Sequence, residues 1–127
     1  MLIHVPPTES FDVPEGRYNA VCDDTYDIHK STDKGPKTFL RVIWRILDSP
    51  DPNVVYMAGK SYEPVFAKNS QLSNDLHSWF QQDIKPGPFD PHCLPGLKAT
   101  LTIAHIHNEG YPKPYCYVAK VEPPQTR

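Results

Sequence analysis

The sequence predicts a mainly β domain of five strands with one α-helix between the third and fourth. Three observations lead there. The 127 residues are enough for one ordinary domain and no more. Fifteen prolines against 6 glycines rule out a helical bundle, because an interior Pro breaks helix and sheet ladder alike and must sit in loops, at strand ends or on edges. Apolar residues recur mostly with a period of two, and only once with the period of a helix.

Each element follows from its pattern. Residues 16–28 place Tyr18, Ala20, Cys22, Tyr26 and Ile28 on even positions, giving the first strand. Residues 30–37, Lys-Ser-Thr-Asp-Lys-Gly-Pro-Lys, carry turn chemistry and read as a projecting basic loop. In the second strand, residues 38–47, Leu40, Val42, Trp44 and Ile46 form one face, and Phe39, Arg41, Ile43, Arg45 and Leu47 the other. The third strand covers residues 54–62. Leu72, Leu76, Trp79 and Phe80 then form the stripe of one helix, capped by Asn69 or Ser70 and ending near Asp83 ahead of Pro86, Gly87 and Pro88. A Pro-rich connection leads to the fourth strand, residues 97–106. Residues 108–114 form a hairpin loop before the fifth strand, residues 115–121.

This is the element order of the OB-fold, a Greek-key barrel that binds oligonucleotides or oligosaccharides on its second and third strands and the adjoining loops. The expected unit is a single OB-fold domain over 1–127, with its core at about 11–123 and frayed termini.

The net charge of −2 gives no global basic signature for nucleic acid, but charge is locally polarised. Glu9, Asp12, Glu15, Asp23, Asp24 and Asp27 face only Arg17 within residues 9–29, whereas Lys30, Lys34, Lys37, Arg41 and Arg45 face only Asp33 within 30–46. Cys22, Cys93 and Cys116 are widely spaced and form no CxxC, which fits a reducing cytoplasm rather than a disulfide framework. No secretory leader and no long apolar run appears, so neither export nor a membrane is expected.

Catalytic and metal motifs are weak. Gly59-Lys60-Ser61 lacks the first glycine of a phosphate loop, since Val54 stands there. His105 and His107, with Asp90, His92 and Cys93, offer two pairs of potential ligands, but their spacing does not close a zinc site. Asp23, Asp24 and Asp27 read as a solvated strand end rather than a Mg²⁺ site. No catalytic residue, metal or cofactor is expected, and the protein is not read as an enzyme.

One surface does carry chemistry. Lys37, Arg41, Arg45, Lys60 and Lys113 supply cations, and Phe39, Tyr62, Tyr111 and Tyr115 supply rings. Phosphates need positive charge and unstacked bases need a flat partner, which is the demand of single-stranded nucleic acid.

Gly16-x-Tyr18-x-Ala20, Leu40-x-Val42-x-Trp44-x-Ile46-Leu47, Ser70-x-Leu72-x-x-x-Leu76, Leu94-x-Gly96-Leu97-x-Ala99 and Tyr115-x-Tyr117-Val118 through Val121-x-Pro123 resemble the small OB-fold proteins of bacteriophages and prophages that bind single-stranded DNA. The resemblance implies a non-catalytic, DNA-coating role in replication or recombination, in the host bacterial cytoplasm. It differs in the C-terminus, Gln125-Thr126-Arg127, which lacks an acidic recruiting tail. The expected partner is single-stranded DNA. RNA, a homodimer and contacts with replication or recombination proteins stay open. The alternatives are a β-rich adaptor that binds a phage or host protein through the same aromatic face, and a metal-assisted hydrolase built on His92, His105 and His107.

Overall fold

A computed structural model describes residues 1–3, 5–66, 70–82, 89–107, 109–110 and 112–125. Its strands are β1 (Thr8–Ser10), β2 (Gly16–Thr32), β3 (Gly35–Ile46), β4 (Val54–Tyr62), β5 (Lys98–Ile106) and β6 (Tyr115–Glu122). Helix α1 (Gln71–Phe80) and a 3₁₀ turn, Pro91–Cys93, lie between β4 and β5.

The six strands form one sheet in the order β1-β4-β3-β2-β5-β6. β1 runs parallel to β4, and every other pair is antiparallel. The sheet curls strongly into a half-barrel. The expected closed five-stranded barrel is not formed. β4 and β6 approach within 8 Å between Cα atoms but share no ladder, and a sixth strand comes from the leader. Thr8-Glu9-Ser10 has no apolar alternation that could announce a strand.

The expected register of β3 holds. Leu40, Val42, Trp44 and Ile46 are buried on the concave face, while Arg41 and Arg45 stand on the other. Helix α1 closes the concavity with Leu72, Leu76 and Trp79. The rings of Trp44 and Trp79 meet at 5.9 Å between centroids, and Trp79 Nε1 donates to the Lys98 carbonyl at 2.8 Å. The Ser70 hydroxyl accepts from Ser73 N at 3.2 Å and caps the helix. Its end comes earlier than expected, with Gln81 in the left-handed region at φ 57°. Asn69, Asp83, Pro86, Gly87 and Pro88 lie outside the described residues.

Two further expectations need correction. The basic stretch 30–37 is not a loop but the end of a β2–β3 hairpin, paired as far as Thr32 with Gly35. Asp33 and Lys34 make the turn, and Gly35 at φ 106° follows it in the conformation a short hairpin bulge requires. Pro36 is tolerated because β4 does not reach that part of β3. In β2, a bulge between Cys22 and Asp24 breaks the period of two. Thr25, not Tyr26, then turns inward, at 4% exposure against 43%.

The leader after β1 straps the sheet's open side. Val13 is buried in the core. Three side chains bond to its backbone neighbourhood: Cys116 Sγ to the Phe11 carbonyl at 2.9 Å, His105 Nε2 to the Val13 carbonyl at 2.6 Å, and Tyr18 OH to the Pro14 carbonyl at 2.9 Å.

Candidate nucleic-acid interface

Directly opposite residues of an antiparallel ladder share a face, so register alone assembles the convex surface of β2, β3 and β4. Lys30 stands opposite Lys37, Ile28 opposite Phe39, and Tyr26 opposite Arg41, which is opposite Ser61 in turn. The ammonium groups of Lys30 and Lys37 lie 5.7 and 5.6 Å from the Phe39 ring centroid, within cation–π range. Arg41 is half-buried, and its Nη1 donates to Ser61 Oγ at 3.1 Å. The guanidinium lies over Gly59, where a β-carbon would stand 2.4 Å from Nη2.

A groove of about 550 Å³ runs from this surface to β6, bringing Lys30, Arg41, Lys60 and Ser61 together with Tyr115 and Tyr117. Tyr115 is 65% exposed and Tyr117 37%. Cationic heads thus lie beside two open phenol rings.

The nine residues expected to form a binding surface divide. Lys37, Phe39, Arg41 and Tyr115 lie on or beside this groove. Lys37 is also paired with Glu63. Arg45 shares the convex face but sits toward the other end of β3, 4.0 Å from Asp23. Lys113 is exposed at the β5–β6 end, 3.9 Å from Asp12. Tyr111 lies outside the described residues.

Tyr62 is a clear correction, and Lys60 is a groove residue whose charge is already matched. They stand opposite Leu40 and Val42, so both belong to the core-side face. Tyr62 is 3% exposed. Its hydroxyl donates to Asp75 Oδ2 at 2.6 Å, the same oxygen that Lys60 Nζ meets at 2.7 Å, while Gln71 Nε2 donates to Oδ1 at 3.0 Å. Burial first, and the Asp75 charge second, hold the Tyr62 phenol well above its ordinary pKa. Tyr62 is therefore an anchor for α1 rather than a stacking platform, and Lys60 lines the groove with its charge matched by Asp75.

Lys30 and Tyr117 join the groove beside the nine expected residues, as do Gly59, Ser61 and Gln71. Tyr117 carried a signal, because it stands two residues from Tyr115 and so on the same face. Lys30 is placed by the ladder, which sets it opposite Lys37. Asp75 had a signal as well, lying three residues after Leu72 and four before Trp79 on the apolar stripe.

The histidine and acidic clusters do not converge. His105 spends Nε2 on the Val13 carbonyl and has Glu15 at 3.9 Å from Nδ1. His92 and Cys93 lie before the start of β5 and His105 near its end. His92 donates its backbone N–H and presents its ring to Asp90, which holds that carboxyl below its usual pKa. Among the described residues, no three His, Cys, Asp or Glu are placed to hold a metal ion. The three cysteines are free, with Cys22 buried and Cys93 exposed. No helix among the described residues is long and apolar enough to cross a membrane.

No family model, curated protein or solved structure matches the chain.

Proposed function

We propose that this protein binds single-stranded DNA non-catalytically, as an opened OB-type domain with an added edge strand. The observation that carries the reading is the groove in which Lys30 and Arg41 share one surface with Tyr115 and Tyr117. Single strands need that pairing of cations with exposed rings: cations neutralise phosphates, and each stacked base contributes about 1–3 kcal/mol with little regard to sequence. The OB assignment is supported by the pairing order β4-β3-β2-β5-β6 and by α1 between β4 and β5. The assigned roles are phosphate contacts for Lys30, Lys37 and Arg41, and stacking for Phe39, Tyr115 and Tyr117. A place in phage replication or recombination rests on the resemblance alone.

The test is fluorescence anisotropy with labelled single-strand and duplex oligonucleotides at two salt concentrations. The reading expects tighter binding to the single strand, with affinity falling as salt rises. Because the net charge is −2, affinity should be modest and easily lost at high salt. Absence of binding to either form hands the same surface to the adaptor reading.

A further inference from the structure

The groove continues into a second space. Where β4 and β6 fail to pair, a slit of about 240 Å³ opens between them, and Phe11, Val13, Ala58, Ile103 and Val118 are among its walls. Arg41, Gly59, Tyr115, Tyr117 and Val118 border both spaces. The slit therefore leads from the cationic surface toward the core.

We propose that this slit receives one nucleobase of the bound strand, turned out of the groove; the inference rests on the single-strand reading above. Size is the first argument. A cavity of roughly 150 Å³ holds a benzene ring, so this space admits a larger flat heterocycle, while it falls short of the ~300 Å³ at which sites for larger organic ligands begin. Chemistry is the second. A base presents apolar faces and a polar rim. Phe11, Val13, Ala58, Ile103 and Val118 supply apolar carbon, Asp12 adds a carboxylate acceptor for a base N–H, and the rest of the rim can be met by strand edges: among the described residues the outer edge of β6 carries no ladder, and β4 is unpaired on that side beyond Tyr56. Such an edge offers backbone N–H and C=O groups in a row. The third argument is placement. Arg41 stands at the boundary of groove and slit, held by Ser61, where a guanidinium can grip the phosphate of the nucleotide whose base turns inward.

The test is a methyl NMR titration of Ala58, Ile103 and Val118, with strand binding followed in parallel by anisotropy. Three probes are used: a thymidine oligonucleotide, an abasic oligomer of equal length and charge, and free thymidine. The proposal expects all three methyls to shift with the oligonucleotide and to stay in place with the abasic oligomer. Methyls unmoved by a bound oligonucleotide, or moved equally by the abasic oligomer, overturn it and leave the groove reading standing. Absence of oligonucleotide binding overturns both readings. A shift with free thymidine alone assigns the slit to a free nucleoside and overturns the strand-base proposal. Ala58→Leu narrows the slit. If its tryptophan emission shows an intact fold, it should lose oligonucleotide affinity at least about fivefold, the effect of one lost stacking contact, with abasic affinity unchanged. Unaltered oligonucleotide affinity in a folded Ala58→Leu also overturns the proposal. Should that variant fail to fold, the wild-type titration decides alone.

Discussion

Arg41 lies flat over Gly59, so closely that a β-carbon at position 59 would stand 2.4 Å from its Nη2 and 2.7 Å from its Cζ. The glycine is the floor that lets a long cation lie down beside the open edge of β4. Gly59→Ala is therefore expected to displace the guanidinium rather than the fold. Its stability should stay within about 1 kcal/mol of wild type, because the two groups a β-carbon would meet, the Arg41 guanidinium and the Ile43 Cδ1 methyl at 2.9 Å, are both the far ends of flexible side chains, while single-strand affinity drops. Denaturant titration and anisotropy measure the two effects, and an unchanged affinity would remove Arg41 from the contact surface.

The two convex arginines should behave differently. A phosphate contact to a single strand contributes about 0.7 to the slope of log K against log[salt]. Arg41→Ala should flatten that slope by this amount. Arg45→Ala, far along β3 and beside Asp23, should leave it unchanged. Equal effects of the two substitutions would place the strand along the whole length of β3.

Asp75 ties α1 to β4 through Lys60 and Tyr62. Asp75→Ala leaves a half-buried ammonium without its partner and should cost on the order of 3 kcal/mol. Tyr62→Phe removes one hydrogen bond to a charged group and should cost about 1.5–3 kcal/mol. In both cases the loss belongs in the denaturation midpoint. Tyr62→Leu removes the ring as well: a folded Tyr62→Leu that binds DNA as wild type does would fix the residue as an anchor, whereas lost affinity at intact stability would return it to the binding surface.

Alkaline pH should weaken the fold. Burial, ahead of the Asp23 charge, pushes the Cys22 thiol from 9.0 up to about 12, and Tyr62 is raised as well. The unfolded chain then gives up these protons first, so the stabilisation from the neutral groups is whole below pH 9 and is lost as pH rises toward 12. Each group adds a downward slope of up to about 1.4 kcal/mol per pH unit. Urea midpoints measured between pH 8 and 11 should fall, and Cys22→Ala should fall less steeply. Thiol labelling should run in parallel, with Cys93 reacting fastest and Cys22 protected until unfolding.

Much of the architecture was legible because its signals are local. Leu40, Val42, Trp44 and Ile46 alternate without interruption, the helical stripe stands alone, and residues 54–62 are bounded by prolines. The failures share a different origin. The bulge after Cys22 is a backbone event, so nothing in the side-chain alternation marks where Thr25 replaces Tyr26 on the core side. β1 exists only because a partner edge at Val54–Tyr56 receives it. In β4 the phase was ambiguous, since Tyr56, Lys60 and Tyr62 look as suitable for an open surface as for a polar contact with a helix. What settles it is Asp75, distant in sequence and on another element. The site was half legible for the same reason: Arg41 and Phe39 follow from β3's own pattern and Tyr117 from its spacing to Tyr115, while the pairing of Lys30 with Lys37 and the slit depend on how strands meet.

The strap that seats Val13 is fastened by bonds reaching across almost the whole chain, 105 residues from Cys116 to Phe11 and 92 from His105 to Val13. Neither anchor point exists until β5 and β6 have come together, whereas the β2–β3 hairpin closes around a two-residue turn. The contact separations predict folding from that hairpin outward, with residues 8–15 docking after the largest loop has closed, an order that pulsed hydrogen exchange checks. Read backward, the same order makes release of residues 8–15 a discrete opening that exposes Val13 and breaks the three bonds that hold the strap. Because Phe11 and Val13 also wall the slit, its width depends on this strap staying docked.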